Sequence, residues 1–270
     1  MLVIDDRAVA FIDILGFEEI VRTQDLNKLA QRLELALVDC VGLAVVHAEL
    51  ANSKGVQKVA WDKRVCGYFQ FSDAILLYSF NGSYSSCVNL IVSAWHLLRS
   101  LFAAQLPSRG AVSFGRLAVD VKNALFVGQP VIEAYRLAQA QDWCGAIVGP
   151  SVEAAFPNLA ADAANPKMLL SAVLYPYKVP FKSAAASTID AGREHLCLNW
   201  RFNLYVQAGT QFLFPQSDDP GARAKIENTL KFCKVLRDRN RVWAHDANLP
   251  NALKSFGVGD RQNAPHGDEY

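Results

Sequence analysis

Hydrophobic residues fall along this chain in blocks of two kinds. Positions 7–17 are dominated by Ala8-Val9-Ala10-Phe11-Ile12-Asp13-Ile14-Leu15-Gly16-Phe17, which does not alternate with polar residues and so predicts a central strand covered on both faces. Positions 25–50 repeat instead at three- and four-residue steps through Leu26, Leu29, Leu33, Leu37 and Val41, the spacing of a helix. Ala51-Asn52-Ser53-Lys54-Gly55 supplies its stop. Two strands are expected within 57–79, with Trp61-Asp62-Lys63-Arg64 as the turn between them. A second long helix, 83–104, follows Asn81-Gly82-Ser83 and carries Val88, Leu90, Ile91, Trp95, Leu98, Leu101 and Phe102. Trp95 and His96 on it read as packing residues.

The second half is more broken. A strand is predicted over 108–119, with Gly110 and Gly115 marking close backbone approach. A short helix over 130–141 opens on Pro130, which suits a first turn, and 144–148 reads as another strand. The Ala-, Asn- and Pro-rich stretch 157–170 is expected to be loop. A polar helix over 219–241 shows Ile226, Leu230, Val235 and Leu236 as its main apolar positions, with Asp238-Arg239-Asn240-Arg241 as a solvated end. The Gly- and charge-rich tail 257–270 is expected to be disordered. Strands alternating with helices give an α/β order with a mixed sheet.

Composition narrows the function classes. Half of the 270 residues are hydrophobic, enough for one large domain or a domain with a smaller appendage. The net charge of +1 offers no overall field for a nucleic acid polymer or a membrane surface. The longest apolar run is interrupted before it reaches the length of a membrane span. The six cysteines, Cys40, Cys66, Cys87, Cys144, Cys197 and Cys233, form neither a CxxC pair nor a zinc spacing, and read as buried reduced thiols in a cytoplasmic protein. No signal peptide is expected before Asp5-Asp6.

Two aspartates break the apolar pattern. Asp13 sits inside the first strand, and Asp73 sits inside Tyr68-Phe69-Gln70-Phe71-Ser72-Asp73-Ala74-Ile75-Leu76-Leu77. A carboxylate in a buried strand is costly without a partner. One such residue is explained by backbone hydrogen bonds at a strand end. Two of them suggest one shared partner, and a divalent cation is the simplest.

The order of these motifs resembles a known family. After Phe11-Ile12-Asp13-Ile14-Leu15-Gly16-Phe17 and Phe71-Ser72-Asp73 come Arg109-Gly110-Ala111-Val112-Ser113-Phe114-Gly115 and then Val127-Gly128-Gln129-Pro130-Val131-Ile132-Glu133-Ala134-Tyr135-Arg136-Leu137. Over residues 7–150 this resembles the class III nucleotidyl cyclase catalytic domain. In particular it is similar to the Pycsar pyrimidine cyclases, bacterial anti-phage enzymes that make cyclic UMP or cyclic CMP. The resemblance implies an α/β (α+β) ferredoxin-like domain, with a mixed, mainly antiparallel sheet and helices, over 1–190. A C-terminal helical extension over 191–256 and the tail 257–270 would follow. It also implies that Asp13 and Asp73 hold two Mn²⁺ or Mg²⁺ ions on a nucleoside triphosphate. Ile14 and the backbone through Gly16 and Phe17 would face metal and phosphate. Arg136 matches the arginine that stabilises the transition state, which in the family reaches across a head-to-tail homodimer. The cyclic nucleotide would act on a separate effector protein.

The departures from the family pattern carry the substrate expectation. The family asparagine four residues before the arginine is Ile132 here, with Glu133 or Tyr135 as possible substitutes, although Tyr135 reads first as an interface residue. The two positions where purine cyclases read the base hold Phe69 and Leu125, which cannot hydrogen-bond a base edge. A stacked pyrimidine is therefore expected, UTP first and CTP as the alternative. Lys182, favoured over Lys178 as the phosphate lysine, reads otherwise as a solvated residue, Arg136 as a surface ion pair, and Arg109 as either structural or phosphate-facing. A catalytically degenerate cyclase homology domain that binds nucleotide or dimerises is the rival reading.

Overall fold

The computed structural model describes residues 2–37, 65–185, 189–190, 192–200 and 219–244. The first strand, β1 (Val3–Ile14), is followed by α1 (Phe17–Thr23) and a helix α2 over 26–37. The hairpin β2 (Cys66–Phe71) and β3 (Ala74–Ser79), the helix α3 (Tyr84–Ala103) and the strand β4 (Ser108–Asp120) complete the first half. The sheet order β2-β3-β1-β4 is antiparallel throughout, which is the ferredoxin-like β-α-β-β-α-β arrangement. β5 (Leu125–Gly128) folds back on β4 and leads into α4 (Gln129–Ala140). β6 (Gly145–Val148) then joins β4 as the one parallel pairing among the described residues, and β8 (His195–Leu198) and β7 (Leu174–Tyr177) extend that edge. The sheet is thus mixed and mainly antiparallel, as expected.

Alternation along β1 separates the two faces. Ala8, Ala10, Ile12 and Ile14 join the large core with Leu29 and Leu33 of α2 and Leu90, Ile91, Leu97, Leu98 and Leu101 of α3. Ser83 starts α3 by accepting a hydrogen bond from the Ser86 amide at 3.2 Å. α3 is long and apolar enough to cross a membrane, but most of it is buried in this core. Trp95 and His96 are buried within it, as packing residues should be. On the other face Val9, Leu76, Tyr78, Leu117 and Val119 make a smaller cluster, with Phe11, Phe69, Phe126 and Val131 packed at its margin. α4 lies across β1 and β4 on this side, and Phe71, Val127, Tyr135, Ile132 and Tyr68 remain exposed.

Three expectations change. The hairpin turns at Ser72-Asp73, where Ser72 takes a left-handed backbone, so Asp73 stands in a turn and not in mid-strand. The expected turn at Trp61–Arg64 lies outside the described residues, as do Cys40, the helix stop at 51–55 and the tail. The stretch 157–170 contains one short helix, α6 (Leu159–Ala164), because Leu159 and Ala163 have core to cover; α5 (Pro150–Ala155) precedes it, and α7 (Leu170–Val173) begins where the stretch ends. The C-terminal helix α8 (Pro220–Ala244) buries Thr229, Phe232, Cys233 and Leu236, so its inner stripe includes Leu236 but not Leu230, which is exposed.

α8 is part of the same core as the sheet. Phe232 meets Trp143 at 4.5 Å and Tyr177 at 4.6 Å between ring centres, and Thr229 Oγ1 accepts from the Cys144 amide at 2.8 Å. Phe232→Ala is expected to cost about 3–5 kcal/mol, the range for truncating a buried aromatic; urea unfolding of the two proteins measures it. The five described cysteines are buried free thiols. Burial pushes Cys87 and Cys144 up to about 12, far from the thiolate form that reacts.

Candidate active site

Asp13 lies one residue from the end of β1, where the β2–β3 turn arrives beside it. The register pairs Asp13 with Ala74 on one side and with Arg109 on the other. The Ile14 amide donates to the Asp73 carbonyl at 3.0 Å, which ties the turn to the strand end. The two aspartates are therefore neighbours at one end of the sheet. Gly110 permits the close packing of β1 on β4 here, because a Cβ would lie 2.6 Å from the Phe11 carbonyl oxygen. Gly16, with φ +68°, then turns the chain from β1 into α1, a conformation that side-chain-bearing residues adopt at a cost. It is exposed, and Phe17 packs back on the core.

The Asp13 carboxylate is nearly buried, at 8% exposure, and its charge is balanced by Arg109 at 6%. Arg109 Nε donates to Oδ2 at 3.0 Å and Gln139 Nε2 donates to it at 3.2 Å, while Arg109 Nη2 lies 3.0 Å from the same oxygen as an ion-pair contact. Arg109 also donates to the Gln139 side-chain oxygen. The sequence left Arg109 open between a structural and a phosphate-facing role, and the structure makes it the ion partner of Asp13. Asp73 is half-buried in its turn, and its carboxylate has no partner among the described residues.

α4 carries the other half of the constellation. Arg136 is exposed on it and makes no hydrogen bond or ion pair among the described residues. It lines a cavity of about 1100 Å³ with Glu133, Gln139, Glu153, Lys182 and Arg193. Lys182 enters because its amide donates to the Ala140 carbonyl at 2.9 Å, just past the end of α4. Its ammonium has no partner either, and it titrates below the usual lysine range, chiefly through burial and then through Arg109 and Lys225. Lys178 is exposed and outside the cavity. Glu133 accepts from the Ser151 amide at 3.3 Å, and Tyr135 stands edge-on to Phe11 at 5.4 Å. Neither the Glu133 nor the Tyr135 contact involves Ile132, which is exposed on the same helix.

The two positions expected to face the base do not meet. Phe69 faces the smaller core cluster and touches Phe126 at 5.3 Å, with Tyr78 against Phe126 at the same distance. Leu125, one residue earlier on β5, is exposed on the opposite side of that strand. Phe126 and Gln139 are the residues that sequence reasoning missed. Their signal is spatial: each depends on which way a strand or helix turns its side chains.

Asp13 and Asp73 suit a hard divalent cation. Both are oxygen donors, no hydrogen bond among the described residues reaches Asp13 Oδ1, and Asp73 is unpartnered. No cluster of three His, Cys, Asp or Glu side chains occurs among the described residues, so a cation held by the two carboxylates would take its remaining oxygens from other sources.

No protein-family model and no curated protein matches the chain. Its fold is similar in outline to solved cyclase structures. The adenylyl cyclase CyaB from P. aeruginosa superposes with a TM-score of 0.46 at 12% identity, over 73% of this chain and 94% of that one. The catalytic core of a rhodopsin-guanylyl cyclase with converted specificity, in complex with ATPαS, gives 0.44 at 13%, over 73% and 95%. A bacterial light-regulated adenylyl cyclase gives 0.43 at 11%, over 76% and 95%.

Proposed function

We propose that this chain is a pyrimidine nucleotidyl cyclase that converts UTP to 3′,5′-cyclic UMP and pyrophosphate, with CTP as the alternative substrate. The observation that carries the reading is the pairing of two neighbouring carboxylates, Asp13 and Asp73, with a cavity lined by two unpaired cations, Arg136 and Lys182. Gln139 lines that cavity and also bonds Asp13, so the two features adjoin.

The reaction forms a bond from the 3′-oxygen to the α-phosphorus and breaks the bond to the bridging oxygen of the leaving pyrophosphate, with loss of the 3′-hydroxyl proton. Asp13, Asp73 and the Ile14 backbone would hold two Mn²⁺ or Mg²⁺ ions, which supply a lower hydroxyl pKa and neutralise the triphosphate. Arg136 offers its guanidinium to the phosphoryl oxygens as their charge builds. Lys182, poor in solvent and beside Arg109, gains from an anion more than an exposed lysine does. Phe69 and Phe126 give an apolar wall with no hydrogen-bonding side chain for a purine edge. The exposed apolar residues Phe71, Ile132 and Tyr135 fit the interface of a homodimer in which Arg136 serves the partner's carboxylates. A cytoplasmic second messenger acting on a separate effector in anti-phage defence follows from the Pycsar resemblance.

A second reading, a degenerate domain that binds nucleotide without turnover, is favoured by the Asp13–Arg109 pair. That pair already compensates the buried carboxylate, so Asp13 alone does not call for a metal. Unpartnered Asp73 speaks against it.

Product analysis decides between them. The protein is incubated separately with ATP, GTP, CTP and UTP plus Mn²⁺, and products are resolved by chromatography and mass. Cyclic UMP is expected. Cyclic CMP moves the base assignment alone, cyclic AMP or GMP refutes the use of Phe69 and Leu125, and no product with nucleotide binding retained supports the degenerate domain.

A further inference from the structure

We infer that Gln139 is a positioning residue that keeps one oxygen of Asp13 open to a divalent cation. The inference rests on the metal-binding reading of Asp13. Arg109 and Asp13 face each other across β4 and β1 and are both nearly buried. A guanidinium and a carboxylate placed this way favour a two-pronged pair, with one N–H to each oxygen. That pairing would occupy both oxygens of Asp13.

It does not form here. Arg109 Nε and Nη2 both lie 3.0 Å from Oδ2, and no hydrogen bond among the described residues reaches Oδ1. Gln139 holds the offset. Its side-chain oxygen accepts from Nη2, its backbone carbonyl lies 3.5 Å from Nη1, and its Nε2 donates to Oδ2 at 3.2 Å. Two hydrogen bonds and the Nη2 contact all fall on Oδ2 and leave Oδ1 as the metal-binding oxygen. The end of α4 is itself fixed by Gln141, whose Nε2 donates to the Gly110 carbonyl at 2.8 Å and the Leu137 carbonyl at 3.0 Å. The clamp is therefore carried on a rigid element that also presents Arg136.

Mn²⁺ binding to the full-length chain tests this, read from the free-ion paramagnetic resonance signal with inorganic tripolyphosphate as the phosphate probe. Gln139→Leu lets Arg109 close on both oxygens, and binding is expected to weaken about tenfold or more, in the range for groups that orient a metal ligand. Gln139→Glu keeps an acceptor for Arg109 and sets a second carboxylate against Asp13, which draws Arg109 away. Mn²⁺ is then expected to bind more tightly than in the wild type. The opposite signs separate positioning from packing, because a merely structural side chain would weaken both variants or neither. Either of those results overturns the inference. If Gln139→Leu fails to fold by thermal melting, Gln139→Glu decides alone: tighter binding supports the inference, and equal or weaker binding overturns it. A wild type that binds no Mn²⁺ overturns it together with the metal reading. Opposite shifts in a protein that makes no cyclic nucleotide support it and overturn only the cyclase.

Discussion

Asp73→Ala is expected to lower cyclic nucleotide formation by about a thousandfold or more, roughly 4 kcal/mol of barrier, the scale of removing one preorganised electrostatic group. Fold and assembly are expected to stay intact. Asp73 stands half-buried in a two-residue turn, its carboxylate bonds nothing among the described residues, and the bond that secures the turn uses its backbone carbonyl. Its side chain is therefore free to serve a cation and contributes nothing visible to stability. The measurement is turnover under saturating Mn²⁺, alongside melting temperature and sedimentation. Activity within tenfold of wild type, in a variant shown to be folded, would remove Asp73 from the site.

Asp13 is the poorer residue to delete first. Arg109 is buried against it, and removing one partner of a buried pair leaves an uncompensated charge, at a cost of about 3–5 kcal/mol. An inactive Asp13→Ala would confound lost metal binding with lost structure. The contrast between the two aspartates is invisible in sequence, where each reads as a carboxylate among apolar neighbours.

How much could be read in advance follows from how local each feature is. β1 and α3 were legible because long uninterrupted or periodic apolar blocks admit one reading, and both lie in the core. The aspartates and Arg136 were singled out from residue type and order, and their roles are expectations drawn from a family resemblance. The hairpin was misplaced because Phe71-Ser72-Asp73-Ala74 contains no glycine or proline, and its turn depends on Ser72 accepting a left-handed backbone. α6 was missed because Asn and Pro flank an alanine-rich turn whose helicity comes from burial of Leu159 and Ala163. On α8 the polar surface hid the inner stripe of Thr229, Phe232 and Cys233, whose burial depends on Trp143 and Tyr177, distant in the chain. The Asp13–Arg109–Gln139 clamp joins three elements, and a glutamine near a helix end looks like any solvated polar residue until β4 and β1 are placed beside it.

Mixing Asp73→Ala with Arg136→Ala, each expected to be inactive alone, should restore up to about a quarter of wild-type activity. Random exchange makes half of the dimers mixed, and in a mixed dimer one of the two sites has both a wild-type carboxylate pair and a wild-type arginine. The structure motivates the test in two ways. Arg136 is exposed on α4 and makes no hydrogen bond or ion pair among the described residues, so its guanidinium is available to a second copy. Apolar side chains on α4 and the β2–β3 hairpin are exposed, including Tyr135 at 50% and Phe71 at 73%, and a second copy would cover them. Exchange is verified by pulling down an untagged variant with a tagged one. Rescue near a quarter places Arg136 across the interface from Asp73. Confirmed exchange with no rescue places both residues in one protomer's site, and the dimer would then be a scaffold and not a condition for the chemistry.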